Sequence, residues 1–460
     1  MLRSYYGQFL FLGIYTGITL WIFHQVYHTS QQVIDEEFHL KQGKYYCHGQ
    51  FDIWDGKITT LPGLYLISAF ILGPFGACST YALRLISLVA SIANVCFIFS
   101  IRRMVTGIRS ERKVHLECMS LSILPPLYFF SHLYYTDVLS VTTVLMMIFA
   151  SFKGMHNIGA LAAFVAILMR QTNIVWVVFV LGSNILNCAM TICLANKKSS
   201  GKEVQRYGMK SLITSVETII RSPSIVITIL RRCCSLYLGY ILNMIGFVIF
   251  LLYNGSIVVG DKTAHVAAIH VPQIFYFTIF FAIFSGSHIF SCLRRMLRFV
   301  RKKWYITVLC CALFVVIVSK NTIVHPYLLA DNRHYTFYIW NRFYGKWWFA
   351  RYLPIPIYFG VIVILGWMLL GNSGQQNIAL SLFWIAATFV SVALQQLVEV
   401  RYFILPFLVL RLIQTSVRVS TKLLVLEFII NVIINVATFF IFATKTFHWA
   451  NYAEPQRIIW

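Results

Sequence analysis

The sequence predicts an all-α polytopic membrane protein, on three observations. Of its 460 residues, 59% are hydrophobic, 16% aromatic and only 12% charged, and the mean hydropathy is +0.73. A typical soluble domain is about 45–50% apolar and about 25% charged, so a soluble enzyme, a disordered chain and a coiled coil are excluded. The apolar runs are continuous over about 20 residues, the length of a helical crossing, whereas barrel strands alternate over about 10. The third observation is charge placement. The formal net charge is +23, from 38 Lys and Arg against 15 Asp and Glu. In a soluble chain such an excess points to nucleic acid. Here the basic residues cluster between apolar runs, as on the cytosolic side of a membrane, so membrane lipids and no nucleic acid are the expected surroundings.

Residues 5–27 form the first run, which is aromatic-rich and lacks a small-residue cleavage site. It reads as an uncleaved span. Further runs lie near 80–101, 116–135, 138–152, 157–195, 234–259, 273–292, 304–320, 354–371, 377–397, 403–418 and 423–445. The run 157–195 exceeds one crossing and is interrupted by Arg170, Gln171 and Asn173. Two helices meeting at a polar turn are expected there. The total is about 12–14 helices, short interfacial ones included. They form one integral membrane domain over 1–460, with loops at 28–60, 196–232 and 321–352. The 11 cysteines are odd in number and mostly inside apolar runs, with no CxxC pair. They read as small core hydrophobes.

Three segments, Arg102–Lys113, Lys197–Arg232 and Arg294–Lys303, hold half of all Lys and Arg. The positive-inside bias places them in the cytosol. The acids sort the other way. Asp35, Glu36, Glu37, Asp52 and Asp55 share the first opposite loop, and Asp137, Asp261, Asp331 and Glu399 sit at other turns of that side. Charges at a membrane edge are costly and mark a site by default. Arg170 is the main interior charge expected, and a buried Arg needs a partner, either a carboxylate or a lipid phosphate.

The first loop reads VIDEEFHLKQGKYYCHGQFDIWDGKITTLPGLYLIS, Val33 to Ser68. Asp35 and His39 are four apart and share a helix face. An acid in a dry, membrane-bounded pocket has raised proton affinity, which suits a general base acting on a sugar hydroxyl. The ordinary reading of such a run is a solvated loop; Trp54, Tyr45, Tyr46, Phe38 and Phe51 beside the acids weigh against it. A metal held by Asp35, Glu36 and His39 is not expected, because no HExxH, EF-hand or paired-Cys spacing is present.

Four further stretches carry polar chemistry. HPYLLADNRHYTFYIW supplies His325, Arg333 and His334, donors suited to a lipid phosphate. LVEVRYFILP carries Glu399 and Arg401, which can also simply pair with each other. GDKTAHVAAIHVPQIFYF carries Asp261, His265 and His270, and MRQTNIVW carries Arg170. One glycosylation sequon, Asn254-Gly255-Ser256, lies at a helix end of the acidic side.

Together these stretches resemble the dolichyl-phosphate-glucose-dependent α-1,2-glucosyltransferases of the endoplasmic reticulum. The matching segments are DEEFHLKQGKYYCHGQFDIWDGKITTLPGLYLIS, RQTNIVW, GDKTAHVAAIHVPQIFYF, HPYLLADNRHYTFYIW and VEVRYFILP, in order over residues 35–406. The resemblance implies a GT-C fold in the endoplasmic reticulum membrane, with a lumenal active site under the first long loop. It implies dolichyl-β-phosphoglucose as donor and the lipid-linked oligosaccharide Glc2Man9GlcNAc2-PP-dolichol as acceptor. The anomeric centre then inverts, with no cofactor and no metal. Asp35 is the first candidate for the base, with Glu36 and Asp55 behind it. Arg333, His334 and His325 are the expected donor-phosphate ligands, with Arg170 and Arg401 more distant options. Trp54, Tyr45, His39, Asp261, Asp331 and Glu399 are the candidates for acceptor and sugar contacts. The competing readings are another dolichyl-phosphate-sugar transferase, a multi-pass transporter or channel subunit, and a non-catalytic scaffold.

Overall fold

A computed structural model describes residues 2–30, 32–107, 111–195, 207–262, 268–371, 377–450 and 455–460. Arg109, Lys197, Lys198, Lys202, Arg206 and His265 lie outside the described residues.

The first run forms α1 (Leu2–Thr29), and the first loop is organised by α2 (Glu36–Cys47) and α3 (Gly63–Leu72). The chain then crosses in α4 (Thr80–Thr106). The run 116–135 is divided into α5 (Glu111–Ser122) and α6 (Pro125–Phe130). The break falls at Pro125 and Pro126, which have no N–H with which to continue a helix. Then come α7 (Thr136–Phe152), α8 (His156–Met169) and α9 (Ile174–Cys193). The polar turn Gln171–Asn173 separates the last two, as expected.

Helix α10 (Met209–Arg221) occupies part of the expected basic loop 196–232, and α11 (Ser224–Asn254) follows it. α12 (Pro272–Phe284) and α13 (Gly286–Lys302) meet at a bend of 104°, so the run 273–292 is a broken helix. The remainder is α14 (Trp304–Asn321), short α15 (Pro326–Ala330) and α16 (Tyr335–Ile339), α17 (Ile355–Leu370), α18 (Ile378–Ala393), α19 (Ile404–Ile413) and α20 (Thr421–Thr444). Two short strands, β1 (Thr446–Phe447) and β2 (Gln456–Arg457), pair antiparallel.

Among the described residues six helices are each long and apolar enough to span a membrane, or seven spans with the bent pair. With the five shorter apolar helices of 10–17 residues, among them α7, α8, α17 and α18, the described residues hold twelve apolar spans or shorter apolar helices, within the 12–14 expected with short ones included. Sixteen residues rise about 24 Å, short of a hydrocarbon core of about 30 Å.

The centre of the bundle is α7 against α4 and α8, with α18 against α9 and α12. α6 is wholly buried and α19 nearly so, with Phe407, Leu408, Val409 and Leu410 fully buried.

The interior holds more charge than expected. Arg170 is not its main charge. Arg84 and Arg411 are among the largest fully buried side chains, and Arg102 is 3% exposed. Each has a carboxylate partner: Arg84 pairs with Glu36, Arg102 with Glu117 and Arg411 with Glu427. The hydropathy of the surrounding runs conceals these residues, because their partners lie on other helices. Arg84 and Arg102 are 18 positions apart on α4, about 27 Å along its axis. One pair therefore holds the acidic end of the bundle and the other the basic end.

The reading of the cysteines also needs correction. Cys47 at the end of α2 and Cys78 just before α4 form a disulfide with Cα atoms 5.8 Å apart. Its two halves lie 31 residues apart, outside the long apolar runs. Closing a loop of that length stabilises a fold by about 3–4 kcal/mol in the chain-entropy account. Cys47→Ser is therefore expected to lower the thermal midpoint of the detergent-solubilised protein. Reductant added to the native protein should produce the same shift and add nothing to the variant.

Candidate active site

The site begins at the turn into α2. Ile34 has φ +50°, an unusual left-handed conformation for a β-branched residue. Tyr135 holds this turn closed. Its hydroxyl donates to the Val33 carbonyl at 2.8 Å and accepts from the Glu36 N–H at 3.2 Å. Asp35 stands between these two anchors at the N-terminus of α2, exposed, with no side-chain capping bond. Neighbouring Glu36 points the opposite way. Its carboxylate accepts from Arg84 Nε at 2.7 Å, Arg84 Nη2 at 2.6 Å and the Tyr134 N–H at 2.7 Å. With no exposed surface and both oxygens engaged, Glu36 is a structural anchor. Its candidacy as base is corrected on that ground.

Asp55, the other alternative base, is committed to its own turn. Its Oδ1 accepts from the Lys57 N–H at 2.9 Å, and its N–H donates to Gln42 Oε1 at 3.0 Å. Trp54 packs against Tyr46 and Tyr65, while Tyr45 is exposed. His39 donates to or accepts from the Tyr65 hydroxyl at 2.6 Å and packs edge-on to Tyr135. Burial and the nearby Arg401 guanidinium push its imidazole down to about 4. His39 therefore stands neutral at physiological pH, as a hydrogen-bonding group and not a cation.

The positive half of the site comes from two turns distant in sequence. Arg170 ends α8, and its Nη1 donates to Asp137 in the first turn of α7. Arg401, on the turn before α19, reaches the other oxygen of the same carboxylate at 3.5 Å. It also pairs with Glu399 at 2.8 Å, the pairing anticipated for those two residues. The Arg401 guanidinium lies 5.5 Å from the Phe130 ring centre and 5.7 Å from that of Tyr135. Asp35 interacts electrostatically with Arg401. Tyr135 thus touches the turn of Asp35, the ring of His39 and the face of Arg401. Tyr135 is not singled out by the sequence, and Asp137 stands there only as one of the acids at turns of the acidic side, with no role assigned; the carboxylate or phosphate partner that Arg170 requires is the further signal for it.

Asp137, Arg170 and Arg401 line a cleft of about 40 Å³. Through Arg170, Thr172, Ser391, Gln395 and Tyr402 it adjoins a groove of about 440 Å³ whose rim includes His325 and Lys262. Asp35 lines neither cavity; it stands beside them, linked through Arg401.

Two of the expected phosphate ligands are elsewhere. Arg333 forms a bidentate pair with Asp331, both contacts at 2.9 Å, and donates to Gln456 at 3.0 Å. Its guanidinium also sits 4.2 Å from the Trp449 ring centre, and the Ile459 N–H donates to its carbonyl at 2.8 Å. His334 bonds the Trp460 carbonyl. Arg333 and His334 therefore clasp Trp449 and residues 456–460 and are not brought together with Arg170 and Arg401 as phosphate ligands, while Asp331, expected as a sugar contact, is held by Arg333. Burial raises the Asp331 carboxyl and the Arg333 hydrogen bonds lower it, with a net position below its usual value. The third expected ligand, His325, does reach the groove, while its Nδ1 accepts from the Tyr327 N–H at 3.2 Å. Asp261 is exposed; its N–H donates to the Gly56 carbonyl. The sequon residue Asn254 uses its amide to hold a turn, donating to the carbonyls of Ser256 and Val258. Among the described residues no three His, Cys, Asp or Glu side chains are grouped to hold a metal ion.

Fold and site together define a polytopic membrane protein with a free carboxylate and a paired-arginine cleft at one end of its bundle. Residues 29–412 match the model of the DIE2/ALG10 family, and the chain belongs to that family. It is 42% identical to a Drosophila melanogaster protein over 442 residues, covering 95% of this chain and 96% of the relative. It is 34% identical to a mouse protein, with 93% of each chain covered, and 31% identical to one from Arabidopsis thaliana, covering 93% of this chain and 94% of the relative. All three relatives are named Dol-P-Glc:Glc(2)Man(9)GlcNAc(2)-PP-Dol alpha-1,2-glucosyltransferase. No solved structure matches this chain.

Removing Glu36 leaves a buried guanidinium without its carboxylate, which costs about 3–5 kcal/mol. Glu36→Ala is expected to lower thermal stability and the yield of monodisperse protein, while Asp35→Asn leaves both near wild type. Fluorescence-detected size-exclusion chromatography over a heating series measures the contrast.

Proposed function

We propose that this chain is an inverting glucosyltransferase of the GT-C type in the endoplasmic reticulum membrane. It moves glucose from dolichyl-β-phosphoglucose to the terminal glucose of Glc2Man9GlcNAc2-PP-dolichol, forming an α-1,2 bond. The names of the relatives support the two substrates. The single observation that carries the chemistry is the convergence of Arg170 and Arg401 on Asp137 beside the exposed carboxylate of Asp35, which makes no capping bond. A lumenal face for this site is supported by the Cys47–Cys78 disulfide on α2, since such bonds persist in oxidising compartments. The gathering of basic segments at the opposite end of the bundle supports the same orientation.

The reaction is a single displacement. Asp35 takes the proton of the acceptor 2-hydroxyl as its oxygen attacks the anomeric carbon. The bond from that carbon to the phosphate oxygen breaks, and its electron pair leaves with dolichyl phosphate. One step on one face inverts β to α, so no sugar–enzyme intermediate forms. Charge grows on the phosphate as the bond breaks, and Arg170 and Arg401 are positioned to stabilise it. Asp137 and Glu399 hold the guanidiniums in place before the substrate arrives. His39, being neutral, offers a hydrogen bond without adding charge beside Asp35. The mechanism uses no metal ion; both lipids approach from the bilayer.

Asp35→Asn is expected to abolish transfer between purified donor and synthetic acceptor while the protein remains folded; full activity in that variant would remove Asp35 from the mechanism. Arg170→Ala and Arg401→Ala are each expected to reduce kcat by about 10²–10³. Arg333→Ala should leave kcat within a few-fold and instead make the protein more sensitive to protease near the strand pair β1–β2. The reverse ranking would return the donor phosphate to Arg333.

A further inference from the structure

We propose that the groove of about 440 Å³ beside the arginine cleft is the subsite for the glucosyl end of the acceptor glycan, read by the side-chain amides of Gln395 and Gln396. This rests on the transferase reading above and assigns a substrate part to a site that the reading leaves open.

The first support is the size and the chemistry of the lining. The cleft on Asp137 carries two guanidiniums and has room for little more than one small group. The groove is different in kind. Its polar lining is largely hydroxyl and amide, with Thr59, Thr60, Thr172, Ser391, Gln395 and Gln396 among it, and no carboxylate. Among the described residues its cationic or imidazole lining groups are Arg170, Lys262 and His325. Pockets of this size, roughly 300–1,000 Å³, take ligand-sized groups by apolar contact and a few convergent polar atoms. A polyol matches such a lining, because an amide both donates and accepts and so satisfies vicinal hydroxyls. The Tyr402 ring adds a flat apolar surface of the kind a sugar face covers. Of the two substrates, the donor brings a single glucose bonded directly to its phosphate, whereas the acceptor brings an extended uncharged glycan. The larger cavity, lined mostly by hydroxyl, amide and apolar groups, therefore belongs to the acceptor.

The second support is preorganisation. The groove walls are fixed by backbone bonds that do not use the reading side chains. Gln273 donates to the carbonyls of Gln395 at 3.1 Å and Leu397 at 2.8 Å, which sets the 395–397 loop. On the facing wall, the Val259 N–H donates to Thr59 and the Asp261 N–H to Gly56, while Gln171 donates to the Thr59 carbonyl at 3.0 Å. Gly260 makes this close approach possible. Its φ is +72°, and a Cβ there would lie 2.5 Å from the carbonyl oxygens of Gly56 and Ile58. These bonds use the backbone of the 395–397 loop, and Gln395 and Gln396 line the groove.

The test uses the purified full chain with dolichyl-phosphoglucose and a synthetic diglucosylated pyrophosphate-lipid acceptor. Gln395→Ala and Gln396→Ala are each expected to raise acceptor KM several-fold, and the double variant by at least tenfold; in Gln396→Ala, whose residue lines the groove and not the cleft, donor KM and kcat should stay within twofold of wild type. Thr59→Val, which lines the groove and not the cleft, is a second probe and should raise acceptor KM alone. A thermal midpoint equal to wild type confirms that each variant is folded. A free diglucoside should inhibit wild type competitively against acceptor and lose potency in the double variant. Unchanged acceptor KM in the folded double variant overturns the proposal. So does a rise in donor KM instead, which would assign the groove to the donor glucose. If wild type transfers no glucose between these lipids, the transferase reading itself fails, and that result is distinct from either of these.

Discussion

Charge inside this bundle persists only in pairs, and the Glu36–Arg84 pair is the one from which the site is built. Desolvating either ion alone is expensive, and the low-dielectric attraction offsets it only with good geometry and further hydrogen bonds. Here the geometry is bidentate, and the Tyr134 N–H supplies the additional bond. Because Arg84 belongs to the second turn of α4, the start of α2 is locked to a central helix. That lock fixes the direction of the residue before it. With Glu36 turned inward and Tyr135 bridging Val33 and Glu36, Asp35 faces outward, and the left-handed Ile34 is the local consequence.

The same rule explains what the sequence disclosed and what it hid. Hydropathy and the one-sided distribution of acids made the fold class and the acidic first loop legible. Arg170 was legible as a charge in need of a partner, because apolar residues flank it. Asp137 was not legible as that partner: it sits at a helix start 33 residues earlier, where an acid looks like ordinary solvated N-terminal charge. Glu36 could not be separated from Asp35 and Glu37, since adjacency says nothing about which carboxylate turns inward. That depends on Arg84, which lies within an apolar run and looks like part of a span.

Arg333 and His334 illustrate the opposite error. Basic residues on the acidic side suggested an anion, and an anion is present, but it is Asp331 two residues away. The decisive partners, Gln456, Trp449 and the backbone of Ile459, lie more than a hundred positions further along. Local sequence carries no trace of such a clasp. Likewise the disulfide joins Cys47 to Cys78 only because α3 doubles back toward α2, a fold-level fact that spacing does not reveal.

The electrostatic balance of the cleft bears on how it acts. Arg170 and Arg401 face Asp137 and Glu399, two cations against two anions, so the empty site is close to neutral and stable. A cleft built of unpaired guanidiniums would attract phosphate more strongly but would repel itself open when empty. It would also bind substrate and leaving group alike, and equal stabilisation of the ground and transition states does not accelerate the chemical step. Held against carboxylates, the guanidiniums give a modest welcome to the donor phosphodiester. They gain most when the breaking bond places a second negative charge on the phosphate. The carboxylates that appear to waste the arginines are what directs their stabilisation to the transition state.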